Sequence, residues 1–168
     1  MTIEAIRRSS SMEVNSGFLA PCGLYCGVCG VYYATRDKNE KFLKKLLEMY
    51  QRGVPELDEV TIADLECDGC MSDRVSVFCR ICAIKTCVKE KGYAGCHECD
   101  DFPCSHIETF PMPVGKKVIT RAIPYWREHG TEKWVRDEES RYLCPGCGHM
   151  LFRGAKRCNE CKIPVDLD

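Results

Sequence analysis

Eight of the fifteen cysteines crowd into the 38 residues from Cys67 to Cys104. Their order is Cys67-x2-Cys70-x8-Cys79-x2-Cys82-x4-Cys87-x8-Cys96-x2-Cys99-x4-Cys104. Thiols so regularly spaced are expected to fold around something that binds them. The apolar content is 45%, but cysteine supplies much of it. Glu66–Asp73 and Lys91–Asp101 hold almost no large apolar residues besides. Chains short of core hold such loops with disulfides or with metals.

Compartment separates those two options. Met1–Ser16 carries Arg7 and Arg8 but no apolar run of signal-peptide length, and no stretch approaches a membrane helix. The expected location is therefore a reducing cytoplasm, with no membrane association, where Cys-x2-Cys pairs are metal sites. An odd cysteine count also argues against a complete set of intramolecular disulfides. The formal charge of −1 treats every thiol as neutral. Each zinc held by four thiolates carries a net charge of about −2, so three such sites bring the loaded protein to about −7. That is a poor basis for non-specific nucleic-acid binding.

The chain divides into three parts. Residues 1–17 are polar and serine-rich and are expected to be a disordered tail. Residues 18–140 form a cysteine-rich metal-binding domain with helices. Residues 141–168 form a separable module. In the middle part, Asp37 and Glu40 fit a capping box. Phe42, Leu43, Leu46, Leu47 and Tyr50 then repeat on one helical face, and Gly53 and Pro55 stop the helix. Phe78–Lys89 reads as a short helix presenting Cys79, Cys82 and Cys87. Lys116–Trp126 shows helical register in Val118, Ile119, Ala122, Ile123 and Trp126, with Pro124 expected to kink or shorten it. Thr131 caps a second helix. Lys116, Lys117, Arg121, Arg127, Lys133 and Arg136 make this pair basic, which is read as a solvated face or as a docking face for an acidic partner.

The last module is the most specific signal: Cys144-Pro-Gly-Cys147-Gly148, ten residues, then Cys158-Asn-Glu-Cys161. Two Cys-x2-Cys knuckles close a tetrahedral cage, and the pattern predicts a short zinc ribbon. Iron sites of the rubredoxin kind share the first knuckle but place more chain between the two. Four protein ligands leave no open position, so the site is structural.

In the long cluster two partitions compete. Taken in order, the tetrads are Cys67, Cys70, Cys79, Cys82 and Cys87, Cys96, Cys99, Cys104. Alternatively, Cys79-x2-Cys82-x4-Cys87 and Cys96-x2-Cys99-x4-Cys104 are one unit repeated at a 17-residue offset. Each triad then needs a fourth ligand, from Cys67 and Cys70 or from Cys26 and Cys29. His97 and His106 are read as surface or supporting residues. Cys22-x3-Cys26-x2-Cys29 remains, and it has the spacing with which radical-SAM enzymes hold an iron–sulfur cluster. Val28 in place of an aromatic residue, the lack of a βαβ rhythm and the lack of a glycine-rich strand argue against that chemistry. A non-catalytic iron–sulfur cluster and a zinc site completed by another side chain stay open here.

Ala20-Pro-Cys22-Gly-Leu-Tyr-Cys26-Gly-Val-Cys29 resembles the opening of an uncharacterised prokaryotic family, domain of unknown function 3795. Cys67-Asp-Gly-Cys70, Cys79-Arg-Ile-Cys82-Ala-Ile-Lys-Thr-Cys87 and Cys96-His-Glu-Cys99-Asp-Asp-Phe-Pro-Cys104 fit the same pattern. The resemblance runs from about Ala20 to Phe110. It implies cysteine-rich metal binding in a bacterial or archaeal cytoplasm, and no reaction.

The expected architecture is a small, metal-stabilised, α-rich irregular α+β fold: a multi-zinc cysteine-rich domain plus a C-terminal zinc ribbon. All fifteen cysteines are candidate metal ligands, for about three to four zinc ions, with an iron–sulfur cluster as the alternative at Cys22, Cys26 and Cys29. The expected role is binding or scaffolding, not catalysis, with an unknown protein as partner. A redox protein and a nucleic-acid-associated zinc-ribbon adaptor are the alternatives.

Overall fold

The computed structural model describes residues 13–53 and 58–168. Of the expected tail, residues 1–12 lie outside the described residues, as does Pro55 of the helix stop. The described end of that tail is fixed in place: Asn15 caps a 3₁₀ turn over Ser16–Phe18, and the carbonyl of Gly17 accepts from the Met71 amide.

Eight α-helices are described: α1 Gly30–Arg36, α2 Glu40–Gly53, α3 Ile62–Leu65, α4 Val77–Arg80, α5 Ala83–Lys91, α6 Ser105–Glu108, α7 Pro113–His129 and α8 Thr131–Arg141. Among the described residues there is no strand and no sheet, only the isolated bridges Leu143–Met150 and Arg157–Pro164. The expected α+β class is therefore corrected to an all-helical fold, and the expected C-terminal zinc ribbon is overturned with it. The cause is local. Each cysteine loop of residues 141–168, the C-terminal tail and hereafter the tail, directs its backbone donors back into its own turn and leaves only one bridge, too few for a ladder.

The main core gathers under the α7–α8 hairpin. Val118, Ile119, Ala122, Ile123 and Trp126 of α7 are buried, as are Trp134 and Val135 of α8. Pro124 does not shorten α7, which runs on to His129. Gly130, at φ 77, makes the turn, and Trp126 Nε1 donates to Thr131 Oγ1 across it at 3.0 Å. His97, Trp126 and Trp134 form a continuous stack, with ring centroids 3.8 and 4.0 Å apart, and Tyr25 meets Trp134 edge-on. The N-terminal cysteine loop presses on this hairpin. A Cβ at Gly23 (φ 84) would stand 3.0 Å from Ile123 Cδ1, so a larger residue there would collide with the core.

A second core lies between α1 and α2, from Val31, Ala34, Leu43, Leu46, Leu47, Leu65 and Cys67. The expected apolar face of α2 is thus the buried one. Its cap differs from expectation. Asn39, not Asp37, accepts the Phe42 amide at 3.0 Å, because Asp37 already ends α1. The expected helix over Phe78–Lys89 is broken at Ile81–Cys82 into α4 and α5. The basic character of the α7–α8 pair is largely used internally. Arg121 pairs with the buried Glu138, Lys133 with Asp137, Arg127 donates to the carbonyls of His97 and Cys99, and Lys116 to that of Glu108.

A third, small core holds the tail: Cys144, Leu151, Ala155, Cys158 and Val165. The tail docks on the rest of the protein. The Arg153 amide donates to the carbonyl of Val28 at 2.8 Å, its guanidinium to that of Tyr25 at 2.7 Å, and Phe152 packs on Phe42.

Candidate metal centre

The sulfurs of Cys144, Cys147, Cys158 and Cys161 all lie within 4.8 Å of one another. Two of the separations are 3.5 Å, Cys144 to Cys161, and 3.7 Å, Cys147 to Cys158. A tetrahedral ion with metal–sulfur bonds of about 2.3 Å requires an edge of about 3.8 Å, so the four thiols stand where a zinc ion would hold them.

Sequence builds this cage by repetition. Positions 144 and 158 match, as do 147 and 161, at an offset of 14. The Gly148 amide donates to the Cys144 carbonyl and the Lys162 amide to that of Cys158. The Cys144 amide donates to the His149 carbonyl and the Cys158 amide to that of Ile163. Gly148 and Lys162 both take the left-handed conformation, at φ 72 and φ 65. Glycine adopts it freely; the lysine does so at some cost in strain. Burial works against ionising Cys158, yet amide donors from Cys161 and Glu160 and the neighbouring thiols bring it below the usual thiol range. An amide from Ile163 favours the Cys161 thiolate, but burial and the three other sulfurs outweigh it and push Cys161 upward. A cation among the four sulfurs removes that conflict.

The other eleven cysteines form no such cage. Among the described residues, no other three Cys, His, Asp or Glu ligand atoms converge to within 4.8 Å of one another. No disulfide joins any of them. They fall instead into two neighbourhoods. In the first, Cys79 lies near Cys67 and Cys70, and the Cys70 amide donates to Cys26 Sγ at 3.2 Å. The Cys67 amide is held by Thr35 Oγ1, and the Gly69 amide donates to Cys67 Sγ. Cys22 and Cys26 are buried here, Cys29 is half-buried, and Cys82 lies near Cys22. Burial, then the Cys29 sulfur, push Cys26 far above the usual thiol range. Arg153 enters this neighbourhood from the tail. Burial disfavours its charge, but Cys29, Tyr142, Cys26 and Cys22 around it favour the charged form, and its Nε is buried without a partner.

In the second neighbourhood, Cys87, Cys96, Cys99 and Cys104 line a cavity of about 270 Å³. Lys91 Nζ stands 3.4 Å from Cys99 Sγ. His106 lines the same cavity, whereas His97 is stacked on Trp126, with its Nδ1 buried and unpartnered.

The 17-residue sequence repeat has no matching backbone. Cys79 and Cys87 sit in helices, while Cys96 opens a 3₁₀ turn and Cys104 caps α6. The repeated local structure pairs Cys26–Cys29 with Cys96–Cys99. Each is a 3₁₀ turn closed by an amide of the last cysteine on the carbonyl of the first, with that cysteine at φ −86, ψ 129 or φ −95, ψ 121. Sequence reasoning missed Arg153 and Lys91, since neither belongs to a cysteine spacing.

A family described as protein of unknown function (DUF3795) matches residues 18–109. No curated protein and no solved structure matches the chain. The match covers more than half of the 168 residues, and the chain belongs to that family. The eleven cysteines of the two looser neighbourhoods lie within the matched residues; the tail cage and the α7–α8 hairpin lie beyond them.

Proposed function

We propose that this DUF3795 protein is a zinc-binding scaffold or adaptor whose metal ions are structural. The observation that carries the reading is the cage of Cys144, Cys147, Cys158 and Cys161, whose sulfur separations of 3.5 and 3.7 Å match a tetrahedral zinc–thiolate edge. The four ligands come from protein, so the ion has no position for a substrate.

The same reading extends to the first neighbourhood. Cys67, Cys70 and Cys79, with Cys26 or Cys29, act as a metal clasp tying the N-terminal loop to the central segment. The amide of Cys70 on Cys26 Sγ supports this. So does Arg153, a guanidinium among the sulfurs of Cys22, Cys26 and Cys29, whose charge is matched once those sulfurs are metal-bound thiolates. The working partner is another protein, in a reducing cytoplasm. Nucleic acid is the weaker candidate, since Arg121, Arg127, Lys116 and Lys133 are engaged within the fold. No described helix is long and apolar enough to cross a membrane.

Element-resolved metal analysis of the full chain tests the reading. Zinc at one ion in the tail, lost in Cys144→Ser/Cys147→Ser, is the expected result. A tail that keeps all its zinc in that variant, or that holds iron, overturns it.

A further inference from the structure

The cavity between α5 and α6 differs from the tail cage in a way that bears on what fills it. Its four cysteines come from separately anchored pieces of backbone. Cys87 stands on α5, and Cys96 and Cys99 open and close a 3₁₀ turn. Cys104 caps α6, whose Ile107 amide donates back to the Cys104 carbonyl at 2.9 Å. The Cys96 amide is itself fixed on the Pro21 carbonyl at 2.8 Å. No three of the four sulfurs lie within 4.8 Å of one another, a wider set than the tail cage.

An iron–sulfur cluster suits such a spread. Its irons and inorganic sulfides occupy the centre, the thiolates bind different irons, and the protein sulfurs stay apart around it. The described geometry has that form: four cysteines around a cavity of about 270 Å³, no three of them within 4.8 Å of one another. Cys96 and Cys99 are buried, and Cys87 and Cys104 are half-buried, so one edge faces solvent. Lys91 Nζ, 3.4 Å from Cys99 Sγ, offers the charge-assisted donor that cluster sulfurs accept. We propose that Cys87, Cys96, Cys99 and Cys104 hold an iron–sulfur cluster in this cavity, with Lys91 as a positioning donor to the Cys99 sulfur. The site shares no ligand with the tail zinc or with the N-terminal trio.

The test uses the full chain, purified and reconstituted without oxygen from ferrous iron and sulfide. The expected protein is brown, absorbs at about 400 nm and carries equal iron and labile sulfide, about two or about four of each per chain. Cys87→Ser/Cys104→Ser, which alters the two half-buried ligands, is expected to lose most of that band while retaining its tail zinc, which reports that the chain still folds. Cys144→Ser/Cys147→Ser is expected to do the reverse, so failure of the tail reading and failure of this one are distinguishable. Lys91→Met is expected to keep the cluster and lower its midpoint potential, because a donor to sulfur stabilises the reduced state. Iron and sulfide undiminished in Cys87→Ser/Cys104→Ser, or zinc without sulfide bound by these four cysteines, overturns the proposal. A midpoint potential unchanged in Lys91→Met overturns the role given to the lysine.

Discussion

The two four-cysteine groups, in the tail and around the cavity, invite comparison. Both use a Cys-x2-Cys pair. In the tail a second pair faces the first across a short loop, and the sulfurs converge. Around the cavity the single pair Cys96–Cys99 is joined by Cys87 from a helix and Cys104 from a helix cap, and the sulfurs remain spread. Cysteine count is therefore a weak guide to the group bound. The geometry follows from what carries the thiols: two facing knuckles bring four sulfurs together, while thiols carried by a helix, a 3₁₀ turn and a helix cap border a larger space.

The sharpest way to break the comparison is to take the ion from the tail. Cys144 and Cys158 are buried members of the small tail core, so Cys158→Ala should remove both the ion and much of that core. Structural zinc contributes about 10 kcal/mol or more in small domains, so the tail is expected to unfold. Trypsin should then cut at Lys156 and Lys162 while α7 and α8 stay protected. Equal protection of variant and parent would mean that the tail does not depend on its metal.

A smaller effect tests whether the two regions are mechanically linked. Arg153→Met removes the guanidinium that holds the tail to the Tyr25 carbonyl and stands among the N-terminal sulfurs. The expected cost is about 1–3 kcal/mol, seen as a lower urea midpoint with the tail zinc content unchanged. An unchanged midpoint would show the tail to be an appendage that leans on the core without supporting it.

The smallest effect is a pH dependence of the metal-free, reduced protein. Burial, then the sulfurs of Cys104, Cys99 and Cys87, push the Cys96 thiol from 9.0 to about 12. Burial likewise raises Cys22 to about 12, with Cys82 and Cys26 adding to it. A thiol with a raised folded value keeps its proton longer when folded than when unfolded. Its contribution is complete below about 9 and is lost as pH rises toward about 12. The urea midpoint should therefore fall from about pH 9 upward. A midpoint that rises there would mean that Cys96 and Cys22 are not sheltered.

Much of the tail site was legible because its chemistry is local. Cys144, Cys147, Cys158 and Cys161 are close in sequence, and a knuckle needs only its own turn. The ribbon expected around them failed because pairing strands requires length, and each loop supports only one bridge. The faces of α2 and α7 were legible for a similar reason: Leu43, Leu46 and Leu47, or Ile119 and Ile123, report burial through helical spacing alone. The break at Ile81–Cys82 was hidden, since Phe78–Lys89 reads as one helix until Cys82 becomes the cap of α5. The fate of the basic residues was hidden too. Arg127 reaches carbonyls 28 and 30 residues earlier in the chain, and no spacing rule covers such a distance.

The aromatic stack at the centre has an optical consequence. Trp126 and Trp134 are the only tryptophans in the chain, and they lie 4.0 Å apart with His97 against the first. All indole fluorescence therefore originates from one sealed column, under the hairpin that lies beyond the family match. A change in that indole emission follows the loosening of this column, the parting of α7 from α8 included, and needs no added dye to do so.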